Sequence, residues 1–242
     1  MKHLFVYLNP RKSFDDRNES LFKIQIENLA VFGVKPSDII LVTNFEYECG
    51  GIKATLLEDY VYFSRRTTSQ KMSVLFEMFR RDMMGDGLYW VKDLDLFQVR
   101  EVKDSEIDLS GRKIGFTSYG WKNDGNKDYY SSGSMFITKE SQPFINRVYG
   151  GMYYFWASAD SSLNALLSDE KVGNVMFSWA KQMSNAYNLI FRGGAEWDMD
   201  SIETPIAAVH ISPDPKDTQR LKQYMNPKLI ELIDAYFPHD RI

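Results

Sequence analysis

Leu88-Tyr89-Trp90-Val91-Lys92-Asp93-Leu94-Asp95 joins a short apolar run directly to a pair of carboxylates. The run Leu88 to Val91 is aromatic and aliphatic without alternation, which predicts a strand buried on both faces, as in a parallel sheet. Asp93 and Asp95 stand just past its C-terminal end, where open α/β sheets place their ligands. Side chains at i and i+2 of an extended segment share a face, so the two carboxylates point the same way. That pair suits a hard divalent cation which also takes oxygens from a diphosphate. Asp-x-Asp triplets are also common as solvated loop charges, and it is the strand-end placement that sets this one apart.

Working outward, His3 to Leu8 is a second continuous apolar run, closed by Asn9-Pro10. A helix follows, with Ser20 as its expected opening residue, Phe22, Ile26 and Leu29 on one face, and Gly33 where it stops. Pro36-Ser37-Asp38 then leads into a strand over Ile39 to Val42. Strand, helix and strand at this spacing form a βαβ unit, which favours a doubly wound sheet. A weaker strand is expected around Ala54 to Tyr62, and a helix from Ser69 with Met72, Leu75, Phe76 and Phe79 on one face. That helix ends in Arg80-Arg81, before Gly85-Asp86-Gly87. Beyond residue 100 the pattern predicts a strand over Lys113 to Ser118 and a polar loop from Tyr119 to Tyr130, a candidate lid over a site or equally a plain mobile loop. Helices are expected over Ser141 to Met152, Ser161 to Leu167 and Val172 to Met183, a strand over Ile206 to Ile211, and a last helix from Asn226-Pro227 to Phe237. The expectation is one α/β domain over residues 1–242, with a mostly parallel central sheet flanked by helices.

Composition fits that class. The 242 residues are 44% hydrophobic and 26% charged, both globular values. A net charge of -4 and a pI near 5.5 offer no global attraction for nucleic acid or an anionic membrane. The single cysteine, Cys49, excludes an internal disulfide framework and suits a reducing compartment. No stretch approaches the eighteen or so consecutive apolar residues of a membrane span, so the cytoplasm is the expected location.

Three further segments carry candidate chemistry. His210, one of three histidines, ends a strand within Pro205-Ile206-Ala207-Ala208-Val209-His210. Its imidazole suits either a third metal ligand or a hydrogen-bonded core position, and Lys216 beyond it suits a phosphate or plain solvent. Ser131 to Ile137 is a small-residue turn feeding an apolar strand, where backbone at Gly133 can approach a ligand closely. Asp160 opens a helix and is the expected N-cap, a role that competes with a catalytic one. The aromatic cluster Tyr149, Tyr153, Tyr154, Phe155 and Trp156 is expected in the core.

In this order the pieces resemble the GT-A glycosyltransferases, especially the glycogenin-like and lipopolysaccharide-galactosyltransferase-like families. The resemblance rests on Asp93-Leu94-Asp95, on Ser131-Ser132-Gly133-Ser134-Met135, on Asp160-Ser161-Ser162-Leu163-Asn164, on Tyr187-Asn188, and on His210 to Lys216. The chain departs from the pattern at Ser131 (for Asn), Ser161 (for Gln) and Pro213 (for Gly), and no Pro-Trp follows Lys216. The resemblance implies a metal-dependent transfer from a nucleoside-diphosphate sugar, a UDP-sugar favoured, with retention of anomeric configuration. It implies Mn²⁺ or Mg²⁺ on Asp93, Asp95 and His210. Tyr7, Asn9, Lys71, Gly133 and Lys216 would contact the donor, and Asp160 would be the carboxylate near the anomeric carbon. The donor-binding half would be about residues 1–100 and the acceptor side about 101–242. The acceptor stays open among a glycan, a protein, a lipid-linked sugar and a modified DNA base. Two other readings share the scaffold. A nucleotidyltransferase would use the same carboxylate pair, although Asn9-Pro10-Arg11-Lys12 lacks the glycines of a phosphate loop. A non-catalytic binding protein would leave the pair idle.

Overall fold

The computed structural model describes residues 1–58, 70–123, 127–155, 158–190, 203–211 and 215–237. Its first unit is the expected one: β1 (Lys2–Val6), α1 (Asp16–Val31) and β2 (Ile39–Thr43), with β1 and β2 parallel in register from His3↔Ile39 to Val6↔Val42. The cap of α1 is Asp15 rather than Ser20. The Asp15 side chain accepts from the Asn18 amide, and Asp16 and Glu19 add negative charge to the first turn. Ser20 lies a turn inside, where its hydroxyl donates to the Asp16 carbonyl at 2.8 Å. Gly33, at φ +76°, ends the helix as expected.

A two-stranded ribbon of β3 (Glu48–Cys49) and β4 (Ile52–Lys53) precedes β5 (Thr55–Leu56), which pairs with β2 in parallel. Residues 59–62 of the weak strand expected over 54–62 lie outside the described residues. Helix α2 (Gln70–Arg80) is buried almost all round from Gln70 to Phe79, not on one face. The strand of the opening octapeptide is β6 (Tyr89–Lys92), parallel to β1 with Lys2↔Tyr89 and Phe5↔Lys92. It is followed by β7 (Leu96–Gln98).

Most of the polar segment expected as a loop lies instead in two paired strands. Strands β8 (Ile114–Asn123) and β9 (Lys127–Ile137) pair antiparallel as far as Asn123↔Lys127. Polarity misled because strands that pair with each other do not need an apolar side on every residue. Helices α3 (Gln142–Phe155), α4 (Ala159–Ser168) and α5 (Glu170–Trp179) follow. The third is shorter than expected, because the chain turns extended at Ala180 and β10 (Ala180–Met183) pairs in parallel with β8. Then come β11 (Leu189–Ile190), β12 (Ala208–His210), α6 (Pro215–Leu221) and α7 (Pro227–Tyr236), the last capped by Asn226 as expected.

The main sheet has seven strands in the order β10-β8-β9-β6-β1-β2-β5. Among its pairings only those of β9 are antiparallel, so the sheet is mostly parallel. One face packs on α2, α3, α4 and α5 through Leu4, Tyr89, Val91, Met72, Phe144 and Leu163. The other packs on α1, α7 and a small sheet of order β11-β12-β7. From β1 the order runs one way to β2 and the other way to β6. That is a topological switch point, and it opens a crevice at the carboxyl ends of these strands.

Candidate metal and donor site

Asp93 and Asp95 lie between β6 and β7 in a turn, not the extended segment expected, closed by the Leu96 amide donating to the Asp93 carbonyl at 3.1 Å, and the backbone around them is held by neighbouring elements. The Asp93 amide donates to the Gly133 carbonyl at 3.0 Å and the Ile211 amide to the Asp95 carbonyl at 2.8 Å. From α1, the Gln25 amide group donates to the carbonyls of Leu94 (2.9 Å) and Leu96 (2.7 Å), while Asn28 donates to that of Gln98 at 2.7 Å. Two polar side chains on the buried face of α1 therefore hold this turn and the strand that follows it. Their sequence signal is that polar residues interrupt an otherwise apolar helical face.

His210 reaches the same place through the small sheet. Strand β12 runs antiparallel to β7 with His210↔Leu96 in register. The imidazole Nε2 thus lies 2.9 Å from Asp95 Oδ1. Ligand atoms of Asp93, Asp95 and His210 fall within 4.8 Å of one another. Lys71, at the start of α2, bridges Asp93 Oδ1 and the Ser132 carbonyl, both at 2.5 Å.

The fourth wall is a bulge in β9. Phe116 pairs with Met135, yet Thr117 pairs with Ser131, so the register jumps across Ser132-Gly133-Ser134. Bulges of this kind re-aim backbone beside functional sites. Here one turns the Ser132 and Gly133 carbonyls toward Lys71 and Asp93. A Cβ on Gly133 would stand 2.9 Å from Asp93 Oδ2 and 3.2 Å from the His210 ring, so a side chain there would have to displace the Asp93 carboxylate; the constraint is one of space rather than of backbone angle. The Gly133 amide is satisfied by Ser131 Oγ at 2.9 Å.

No protein-family model matches this sequence, and no curated protein matches it. Solved structures do. A galactosyltransferase, LgtC, crystallised in complex with donor and acceptor sugar analogs, superposes with a TM-score of 0.60 at 12% identity, covering 99% of this chain and 98% of that one. A glycosyltransferase involved in the glycosylation of the major capsid of PBCV-1 gives 0.56 at 8% identity, over 92% of this chain and 100% of its own. The glycosyltransferase GlyE of Streptococcus pneumoniae TIGR4, in its apo form, gives 0.56 at 12% identity, over 99% of this chain and 63% of its own. The fold is that of the GT-A glycosyltransferases.

Within this GT-A fold the structure brings together Asp93, Asp95, His210, Lys71 and Gly133. Their ionisation is interlocked. Burial pushes Asp93 up, and Lys71 and His210 only partly offset it. Burial acts on Asp95 in the same sense, but the adjoining His210 outweighs it and leaves that carboxyl below its ordinary value. Burial pushes His210 down, while Asp95 and Asp93 push it up and prevail. Next to Asp93, the buried Lys92 ammonium lies over the rings of Trp90 (4.7 Å) and Phe5 (5.2 Å), and burial brings it down to about 7.

Asp160 is bonded to the bulge, and it is not the N-cap of α4. Ser158 takes that role by accepting from the Ser161 amide. Two residues on, in the first turn, Asp160 Oδ1 accepts from the Ser132 amide (2.7 Å) and hydroxyl (2.6 Å). Asn164, four residues on, brackets Tyr130 by accepting from its amide and donating to its carbonyl, both at 2.8 Å. The Asp160-to-Asn164 segment therefore clamps β9 where it bulges.

Tyr7 and Asn9 lie at the end of β1, along the same sheet edge. The Tyr7 hydroxyl donates to Asp15 at 2.6 Å, and Asn9 exchanges hydrogen bonds with the Asn44 side chain, each at 2.9 Å. Beside them a cavity of about 380 Å³ is lined by Lys12, Asn44, Leu57 and Glu58. Lys216 is exposed in the first turn of α6, and Pro213 before it lies outside the described residues. The aromatic cluster is not all core. Tyr149 stacks on Phe76 at 4.2 Å, but Tyr153 and Tyr154 are 64% and 81% exposed, and Trp156 lies outside the described residues. Among the described residues no helix is long and apolar enough to cross a membrane.

Proposed function

We propose that this chain is a nucleotide-sugar-dependent glycosyltransferase that uses a divalent cation at Asp93, Asp95 and His210. The observation that carries the reading is the convergence of those three side chains from two sheets at the switch point of a GT-A fold. The donor set fits such an ion. Two carboxylates suit Mg²⁺ or Mn²⁺, and an imidazole as third ligand favours Mn²⁺. Asp93 commits Oδ1 to Lys71, and its Oδ2 lies over Gly133, on the side that the His210 ring also faces.

A bound divalent cation supplies Lewis-acid stabilisation of the departing diphosphate. The chain's own residues supply the rest. Lys71 adds a fixed positive charge beside Asp93, and Lys216 is proposed to meet the diphosphate from the α6 side. Tyr7, Asn9 and the adjoining cavity are proposed to hold the nucleoside, with a UDP-sugar as the favoured donor. Asp160, oriented by Ser132, is proposed as the carboxylate that meets positive charge at the anomeric carbon during transfer with retention. In this reading residues 1–242 act as one domain, the donor half in about the first 100 residues. The proposed compartment is the cytoplasm, on the strength of the single free thiol, Cys49.

The test is the product. Purified protein given a panel of UDP-sugars and Mn²⁺ is expected to release UDP, slowly to water and faster when the right acceptor is present. Release of pyrophosphate from a nucleoside triphosphate and a sugar phosphate, with no UDP from UDP-sugars, would establish nucleotidyl transfer instead.

A further inference from the structure

His210 is held from behind by a chain of buried hydrogen bonds whose direction is determined by its far end. The Thr117 hydroxyl lies 3.2 Å from the Ser134 carbonyl, which can only accept, so the hydroxyl proton points there. Its oxygen is then left to accept from Asn188, and the group facing it at 3.1 Å is the amide nitrogen. That orientation turns Asn188 Oδ1 toward His210 Nδ1, at 3.1 Å. An amide oxygen cannot donate, so Nδ1 must carry the proton. Asn188, Thr117 and Ser134 are each wholly buried, which leaves no solvent to relax the sequence of donors and acceptors.

We propose that Thr117 and Asn188 are positioning residues which lock His210 as the Nδ1–H tautomer and so present the Nε2 lone pair to the cation. The inference rests on the metal centre proposed above and assigns it a second layer. The β9 bulge now has a double use: its Ser134 carbonyl anchors this chain, while its Ser132 and Gly133 carbonyls hold Lys71 and Asp93. Partners of this kind typically tune metal affinity ~10–100-fold.

Thr117→Val keeps the shape and removes the oxygen that tells the two ends of the Asn188 amide apart. Mn²⁺ affinity, measured by calorimetry with the ion alone, is expected to fall ~10-fold or more, and Thr117→Ser is expected to restore it. In the ¹⁵N–¹H long-range spectrum of metal-free Asp95→Ala, which removes the carboxylate facing Nε2 at 2.9 Å, His210 is expected to be protonated at Nδ1 alone at an alkaline pH where imidazole is neutral. Adding Thr117→Val to Asp95→Ala is expected to give a mixture of tautomers. Thermal melting identifies a variant that has lost its fold, and Asn188→Asp in the same background, which keeps an acceptor toward Nδ1, is then expected to hold the Nδ1–H tautomer. Wild type that binds Mn²⁺, with Thr117→Val matching it in affinity and leaving the tautomer of Asp95→Ala unchanged, overturns the lock and leaves the metal centre standing. Failure of wild type to bind Mn²⁺ overturns both, and an Nε2–H tautomer in Asp95→Ala overturns the lock by itself.

Discussion

Two polar networks lie along the carboxyl edge of the main sheet, one after β1 and one after β6, and they are built in opposite ways. After β1, hydrogen bonds gather around a single carboxylate: Asn9 exchanges backbone-to-side-chain hydrogen bonds with Asn44, and the Tyr7 hydroxyl donates to Asp15, the cap of α1. After β6, two carboxylates are pressed together with a lysine and a histidine, and their ionisation is displaced in opposing directions. A chain does not gather like charges without a use for them, since an unmatched carboxylate in such a place costs stability. The first network has the character of a framework for an uncharged ligand such as the proposed nucleoside, and the second has the character of a site that a cation completes.

That contrast can be broken experimentally. Asp95→Ala removes a proposed ligand outright, and Mn²⁺ affinity by calorimetry is expected to drop more than ~100-fold, beyond the range of supporting residues. Gly133→Ala places a methyl 2.9 Å from Asp93 Oδ2, and affinity should fall ~10-fold while unfolding in urea shifts by about 1 kcal/mol. The pH dependence should be of similar size. His210 sits above its ordinary value of 6.5 in the metal-free protein, so binding must expel a proton from a ligand at any pH below that raised value. Affinity is therefore expected to fall about tenfold per pH unit on acidification, with the decline already begun above 6.5. Asn44→Ala should do the reverse of all three. It strips two hydrogen bonds from Asn9, so stability should fall by about 1–3 kcal/mol, with Mn²⁺ affinity unchanged. A large loss of metal affinity in Asn44→Ala would erase the distinction between the networks.

The same contrast shows what a reader of sequence can see. Strands β1, β2 and β6 are legible because a strand buried on both faces must be an uninterrupted apolar run, and Asp93 and Asp95 stand out against the end of one. The β8–β9 pair is not legible, because its pairing partners lie in each other and a polar stretch looks like loop. Nor can local pattern announce the bulge at Ser132-Gly133-Ser134, which exists only as a register jump against β8. His210 was named from its position at a strand end, but its meeting with Asp95 depends on the antiparallel register of β12 with β7. Asp160 shows the converse error. A helix-opening carboxylate looked like a cap, and the fold uses it to hold a different strand. Gln25, Asn28 and Thr117 carry no motif, and Asn188 stands out only as half of the Tyr187-Asn188 pair, because the work of all four is to support others, and only the folded arrangement says whom.

The most direct measurement is a melting-temperature screen of the purified protein against UDP, GDP, ADP and CDP, each with Mn²⁺, with Mg²⁺ and with EDTA, on wild type and Asp95→Ala. A ligand that binds only the native state raises the melting point, by about 2.7 kcal/mol of stability at a hundred times its dissociation constant. The account predicts a rise with one diphosphate, UDP foremost, that requires the metal and disappears in Asp95→Ala. No rise with any diphosphate, or a rise that survives both EDTA and Asp95→Ala, would contradict it.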